Sequence, residues 1–107
     1  MERESVCVLG GGSTKYGKLD DSISDITLQA SVGAIESAGI EPKEIEAGYI
    51  SNVFGVADKQ VHLGPVVMSN LGISECPSLS IESACGSGSV SLERHLQMLQ
   101  QDFMMQY

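Results

Sequence analysis

Tryptophan is absent from this 107-residue chain, and three Tyr and two Phe are its whole aromatic complement, so any core must be built from aliphatic side chains and Met. Basic residues are scarce as well: six Lys and Arg stand against fourteen Asp and Glu, for a net charge of −8. That balance argues against nucleic acid and anionic membrane surfaces as partners, because binding them requires accumulated Lys and Arg. No apolar run approaches the roughly twenty residues needed to cross a bilayer. With two His and three Cys, and no C-x-x-C pair, the chain has no four-ligand zinc pattern, and a structural metal is not expected. The odd cysteine count suggests a reducing compartment. The start Met1-Glu2-Arg3-Glu4 is charged where a secretory leader turns apolar, and the end Met105-Gln106-Tyr107 is no peroxisomal address. A cytoplasmic location is expected.

What is present is an ordinary globular composition. Apolar residues make up 42% and charged residues 19%, which rules out intrinsic disorder. A chain of this size forms at most one small domain and buries only about 60–65% of its unfolded surface. Strand and helix signals alternate along it. Val6-Cys7-Val8-Leu9 is a wholly apolar run stopped by Gly10-Gly11-Gly12, the pattern of a strand buried on both faces. A helix follows with both ends signalled. Ser22 and Asp25 form a capping box, Ile23, Ile26, Ala30, Ala34 and Ala38 line one face, and Gly39 with Ile40 and Pro42 is the stop. Glu44-Ile45-Glu46 adds a short turn, and Tyr49 to Phe54 reads as a second strand. Val61 to Leu71 is a weaker helix, interrupted by Gly64-Pro65 and closed by Gly72. Leu79 to Glu82 reads as a third strand, and Leu92, Leu96, Leu99 and Phe103 recur at helical spacing beyond it. Such alternation predicts an α/β fold with a mostly parallel sheet whose chemistry gathers at the carboxyl ends of its strands.

Cys85 falls at such an end. In Ser80-Ile81-Glu82-Ser83-Ala84-Cys85-Gly86-Ser87-Gly88-Ser89-Val90 it stands between a strand and the first turn of a helix. Unpaired backbone N–H groups and the positive end of a helix dipole favour thiolate over thiol at such places. Ala84, Gly86, Ser87 and Gly88 are small and leave room for a reactant. A lone cysteine among Ala and Gly is otherwise often a small core residue; the strand-to-helix junction is what favours a nucleophile.

Two further segments suggest chemistry that their details do not support. Gly12 to Leu19 nearly matches the phosphate loop G-x-x-x-x-G-K-S/T, but Leu19 offers no magnesium ligand and Asp20-Asp21 put negative charge where a triphosphate needs positive. The dinucleotide pattern G-x-G-x-x-G fails at Lys15. A structural loop is expected there. His95 invites pairing with Cys85, yet ten helical residues rise about 15 Å, so it is expected far from the thiol and exposed. His62 follows the second strand, and a structural role is expected for it.

The Cys85 stretch resembles the nucleophile region of the thiolase superfamily, particularly archaeal acetyl-CoA acetyltransferases and the sterol-carrier-protein type of thiolase. Thr14-Lys15-Tyr16-Gly17-Lys18 is similar to that family's loop after its first strand, and Gly48 to Gly55 to its second strand and exit. The family more often has Ala where this chain has Gly86. The resemblance implies a five-stranded mixed sheet between helices, duplicated in a full-length chain, of which residues 1–107 hold an incomplete first copy and none of the second. It implies acyl transfer to and from coenzyme A, with Cys85 carrying the acyl group as a thioester and no cofactor beyond the coenzyme A thioester substrate. The family's activating histidine lies in Gly-His-Pro and its second cysteine in Cys-x-Gly. Neither motif occurs in these residues.

Coenzyme A is a polyanion, so its phosphates are expected to be met largely by residues absent here, and the resemblance implies a homo-oligomer for the full-length protein. After Glu93 the similarity fades: the last eight residues, from Gln100, have no Gly and no strand alternation. The chain therefore reads as an amino-terminal fragment of a thiolase-type acyltransferase, inactive by itself. The alternatives are a non-catalytic thiolase-like remnant that acts by association through an exposed sheet edge and, with less support, a nucleotide-binding module on the Gly-rich loop.

Overall fold

The computed structural model describes residues 5–53, 60 and 62–100. Helix α1 spans Ile23–Ala38 and has the ends its sequence signals. The Ser22 hydroxyl accepts from the Asp25 N–H at 3.2 Å, and Gly39 takes a left-handed φ of 71° while its N–H bonds back to the carbonyls of Ile35 and Glu36. Ile23, Ile26, Ala30, Ala34 and Ala38 are all half-buried on it. A single 3-10 turn at Pro42–Glu44 leads into strand β1, Gly48–Ser51. Helix α2 covers Leu63–Asn70, β2 covers Ser78–Ile81, and α3 covers Ser87–Gln100. Phe54, Val61 and Phe103 lie outside the described residues.

Strands β1 and β2 pair in parallel, with Gly48 opposite Ser78 and Ser51 opposite Ile81. Side chains alternate across the pair, so each face has its own helix. Gly48 and Ile50 face α2, where a Cβ on Gly48 would collide with Met68 and one on Gly64 would lie 2.8 Å from the Ser78 hydroxyl. Tyr49 faces the other way and stacks on His95 of α3, ring centroids 5.2 Å apart. The dense core is on the α2 side: Leu63, Val67, Met68 and Ile73 are buried, Val67 to 1% exposure.

Two expectations are corrected. Val6 to Leu9 is not a strand among the described residues, and it is not buried: Val8 is 86% and Leu9 67% exposed, and Cys7 is exposed too. Strand identity depends on a ladder partner that the local sequence cannot encode. The glycines that follow it pack on α1, Gly10 at Ser37 and Ala38 and Gly12 at the Ala30 carbonyl and the Ala34 amide, and among the described residues no ladder joins β1 to this segment. Between it, Ala34 and Ala38 of α1, and Leu92, His95 and Leu96 of α3 lies an apolar cavity of about 780 Å³.

Among the described residues the sheet is two-stranded and parallel, compatible with the incomplete first copy that the resemblance implied. Gly64-Pro65, finally, does not interrupt α2. Pro65 occupies the first turn, where an N–H has no intrahelical partner to lose, and Gly64 lets the helix approach Ser78 and Ile50. The architecture is that of a small mixed α/β core, in keeping with part of a thiolase-like sheet.

Candidate active site

Parallel pairing sends both strands out at the same edge, and β2 leaves it directly into the turn that carries Cys85. The N–H of Gly86 donates to the Ser83 carbonyl at 3.0 Å, closing a four-residue turn with Ala84 and Cys85 at its centre. Ala84 has φ 48°, the only positive value at a non-glycine among the described residues. A positive φ at a central turn residue is ordinarily filled by Gly. The second turn bond runs from the Ser87 N–H to the Ala84 carbonyl at 3.3 Å, after which Val90 N–H to Gly86 carbonyl at 3.1 Å begins the helical ladder.

Cys85 is exposed at this junction, two residues before the start of α3, as the strand-to-helix reading required. Two side chains brace the turn. The Glu82 carboxylate accepts from the Ala84 N–H. The Ser87 hydroxyl, 4% exposed, accepts from the Ser83 N–H at 2.6 Å and donates to the Ala84 carbonyl at 2.8 Å. Sequence reading passed over both, although a Ser in the first turn of a helix, behind a tight turn, is a known way for a hydroxyl to return to the backbone. A Cβ added to Gly86 would sit 3.5 Å from the Ser83 carbonyl, an ordinary contact, so an alanine would fit here.

The other cysteines differ in setting. Cys76 is half-buried with its Sγ 3.7 Å from the Pro77 carbonyl, and burial pushes its thiol up from the ordinary 9.0. Neither histidine is brought to Cys85 by an observed contact. His95 is held in its stack on Tyr49, half-buried where exposure was expected, and α3 runs unbroken from Ser87 so that it lies two turns along. His62 precedes α2, exposed, its N–H bonded to the Gln60 side chain at 3.2 Å.

No cluster of three or more metal-ligating side chains occurs among the described residues. No helix among them is long and apolar enough to cross a membrane. The loop from Gly12 has a packing reason for its glycine, because any side chain there would meet the α1 backbone. What the arrangement offers chemically is an accessible thiol, a backbone N–H at the same residue, and a strained turn fixed from both sides.

Residues 6–104 match the family described as the N-terminal domain of thiolase. Among individual proteins, the chain is similar to an acetyl-CoA acetyltransferase of Methanothermobacter thermautotrophicus, 38% identical over 89 residues, covering 81% of this chain and 23% of that protein. It is similar also to an acetyl-CoA acetyltransferase of Methanocaldococcus jannaschii, 35% identical over 91 residues, covering 83% of this chain and 23% of the relative. The chain therefore spans about a quarter of the length of the curated relatives it matches.

Proposed function

Because this chain belongs to the thiolase N-terminal domain family, we propose that it carries the acyl-accepting portion of a thiolase-type acyltransferase acting on acyl-CoA, with Cys85 as the nucleophile. The observation that carries this reading is the place of Cys85: exposed, at the carboxyl end of β2, in a tight turn that opens directly into a 14-residue helix. Its sulfur adds to the thioester carbonyl of acyl-CoA. The bond from that carbon to the coenzyme sulfur then breaks, and the coenzyme thiol leaves with the proton Cys85 gave up. The products are acyl-Cys85 and free coenzyme A, without a redox or metal step. While the carbonyl is tetrahedral its oxygen carries negative charge, and the backbone N–H of Cys85 is the donor this reading assigns to it.

The rest of the chemistry is assigned to residues outside these 107. A Claisen-type step also needs a base for the thiol and for the second substrate, and further oxyanion donors. General acid–base assistance is typically worth about 10²–10⁴-fold and each oxyanion donor about 10²–10³-fold, so a chain lacking several of them turns over near background. The net charge of −8 likewise assigns the coenzyme phosphates to other residues.

Two assays test this. The isolated chain with acetoacetyl-CoA and free coenzyme A is expected to show no loss of acetoacetyl-CoA absorbance. A chimera in which this chain replaces the matched quarter of the Methanothermobacter relative is expected to show thiolysis that Cys85→Ala abolishes. Turnover by the isolated chain, or a chimera equally active with Ala at position 85, overturns the reading.

A second reading, association without catalysis, is favoured by one observation. Val8 and Leu9 are 86% and 67% exposed beside an open apolar cavity, a surface that a partner chain could cover. A monomeric chain in solution counts against it.

A further inference from the structure

Ser87 and Ser91 sit one helical turn apart on α3 and are both buried, at 4% and 7% exposure, but their hydroxyls are used differently. The Ser91 hydroxyl has no hydrogen-bond partner among the described residues. The Ser87 hydroxyl uses both its lone pair and its proton on the backbone around Ala84, accepting from the Ser83 N–H and donating to the Ala84 carbonyl. We propose that Ser87 is a positioning residue for the nucleophile, holding Ala84 in its left-handed conformation and so aiming Cys85; this rests on the reading of Cys85 as acyl acceptor.

The conformational cost in this turn lies at Ala84. A Cβ at φ 48° is sterically disfavoured, so an unbraced Ala–Cys turn would populate this conformation roughly tenfold less than a glycine would. The turn bonds alone do not remove that cost, because they are equally available to a glycine-containing turn. The hydroxyl adds a bond on each side of the disfavoured residue: one from the Ser83 N–H before it, one to the Ala84 carbonyl after it. The second has a direct consequence for Cys85. The Ala84 carbonyl and the Cys85 N–H belong to one planar trans peptide and point in opposite directions. Drawing the carbonyl toward Ser87, where it meets both the hydroxyl at 2.8 Å and the Ser87 N–H at 3.3 Å, turns the Cys85 N–H away from the helix start. A donor so turned is available to an acyl oxygen on the thiol.

The experiment reads the clamp and the thiol separately in the 107-residue chain. Amide hydrogen exchange at Ser83 reports the clamp, with the Leu71 amide at the end of α2 as a reference for global opening. Iodoacetamide labelling of Cys85 relative to the exposed Cys7 reports the thiol. Ser87→Ala is expected to speed exchange at Ser83 and lower the Cys85-to-Cys7 labelling ratio, each by about five- to tenfold, with Leu71 unchanged. Ser87→Thr, which keeps the hydroxyl, is expected to stay within about twofold of wild type in both. The double variant Ala84→Gly with Ser87→Ala is expected to recover most of the labelling ratio, because glycine bears no penalty at positive φ.

A merely structural role for Ser87 in helix packing would not be rescued at position 84. If Leu71 also exchanges faster in Ser87→Ala, the double variant decides: recovery supports the proposal, and failure to recover overturns it. Unchanged exchange and labelling in Ser87→Ala overturn it outright. A wild-type chain in which Cys85 labels no faster than Cys7, while the Ser83 amide still depends on Ser87, removes the acyl-acceptor reading and leaves the clamp.

Discussion

The two faces of the β1–β2 pair are finished to different degrees. On the α2 face, Leu63, Val67, Met68 and Ile73 are buried, and glycines at 48 and 64 bring helix and strands into close contact. On the α3 face, Tyr49 meets His95, but Leu79, Leu92 and Leu99 remain 56%, 56% and 45% exposed, and the 6–9 segment lines an open cavity. Both faces are written with apolar residues. The difference is that α2 lies in the connection between the two strands it covers, so its partners are set within that connection, whereas α3 follows β2 and leaves much of its apolar stripe uncovered among the described residues.

A pair of truncations separates the two faces. Leu63→Ala is expected to cost about 2–5 kcal/mol of unfolding free energy, as a buried leucine does, while Leu92→Ala on the open face stays within about 0.5 kcal/mol. Urea unfolding followed by circular dichroism measures both, and equal losses would mean that the α3 face is as closed as the other in solution.

A smaller effect sharpens the contrast from the opposite direction. Ser91 is the buried hydroxyl without a partner among the described residues, so Ser91→Ala is expected to stabilise the fold by about 1 kcal/mol, read as a higher Tm. A loss of stability would place a hydrogen bond there.

The smallest expected effect concerns Cys76, whose thiol burial pushes up from 9.0. A thiol that titrates higher in the folded state keeps its proton there while the unfolded chain loses it. Stability is therefore unaffected below the unfolded value and falls as pH rises from about 9 through the folded value. Cys76→Ser is expected to flatten that alkaline decline slightly, since the group is only half-buried. A chain equally sensitive without the thiol would assign the decline to other groups.

Legibility in the sequence followed the range of the interactions involved. The ends of α1 were legible from Ser22 and Gly39, because a cap is settled within four residues. The place of Cys85 between a strand and a helix was legible, because a strand, a small-residue turn and an apolar helical stripe are all local signals. The fate of Val6 to Leu9 was not, since an apolar run becomes a strand only where an edge accepts it. Pro65 was read as a break because its position within the first turn depends on where α2 begins, which the sequence marks weakly: His62 supplies no side-chain cap. The Ser87 clamp was hidden for another reason. Serine is common in such turns, and only the left-handed φ of Ala84, visible in three dimensions, shows what its hydroxyl is for.

The 6–9 correction also changes what a labelling experiment means. A buried Cys7 would have lost to Cys85 through inaccessibility alone. Both thiols are in fact exposed, so they differ chiefly in that Cys85 stands at a helix start. The most direct measurement of the central claim is therefore the ratio of iodoacetamide labelling at Cys85 and Cys7 in the folded wild-type chain at neutral pH, mapped by mass spectrometry of the peptides. An activated acyl acceptor predicts a clear excess at Cys85 that disappears when the chain is unfolded in urea. Equal labelling of the two thiols in the folded chain, or an excess that survives unfolding, would contradict it.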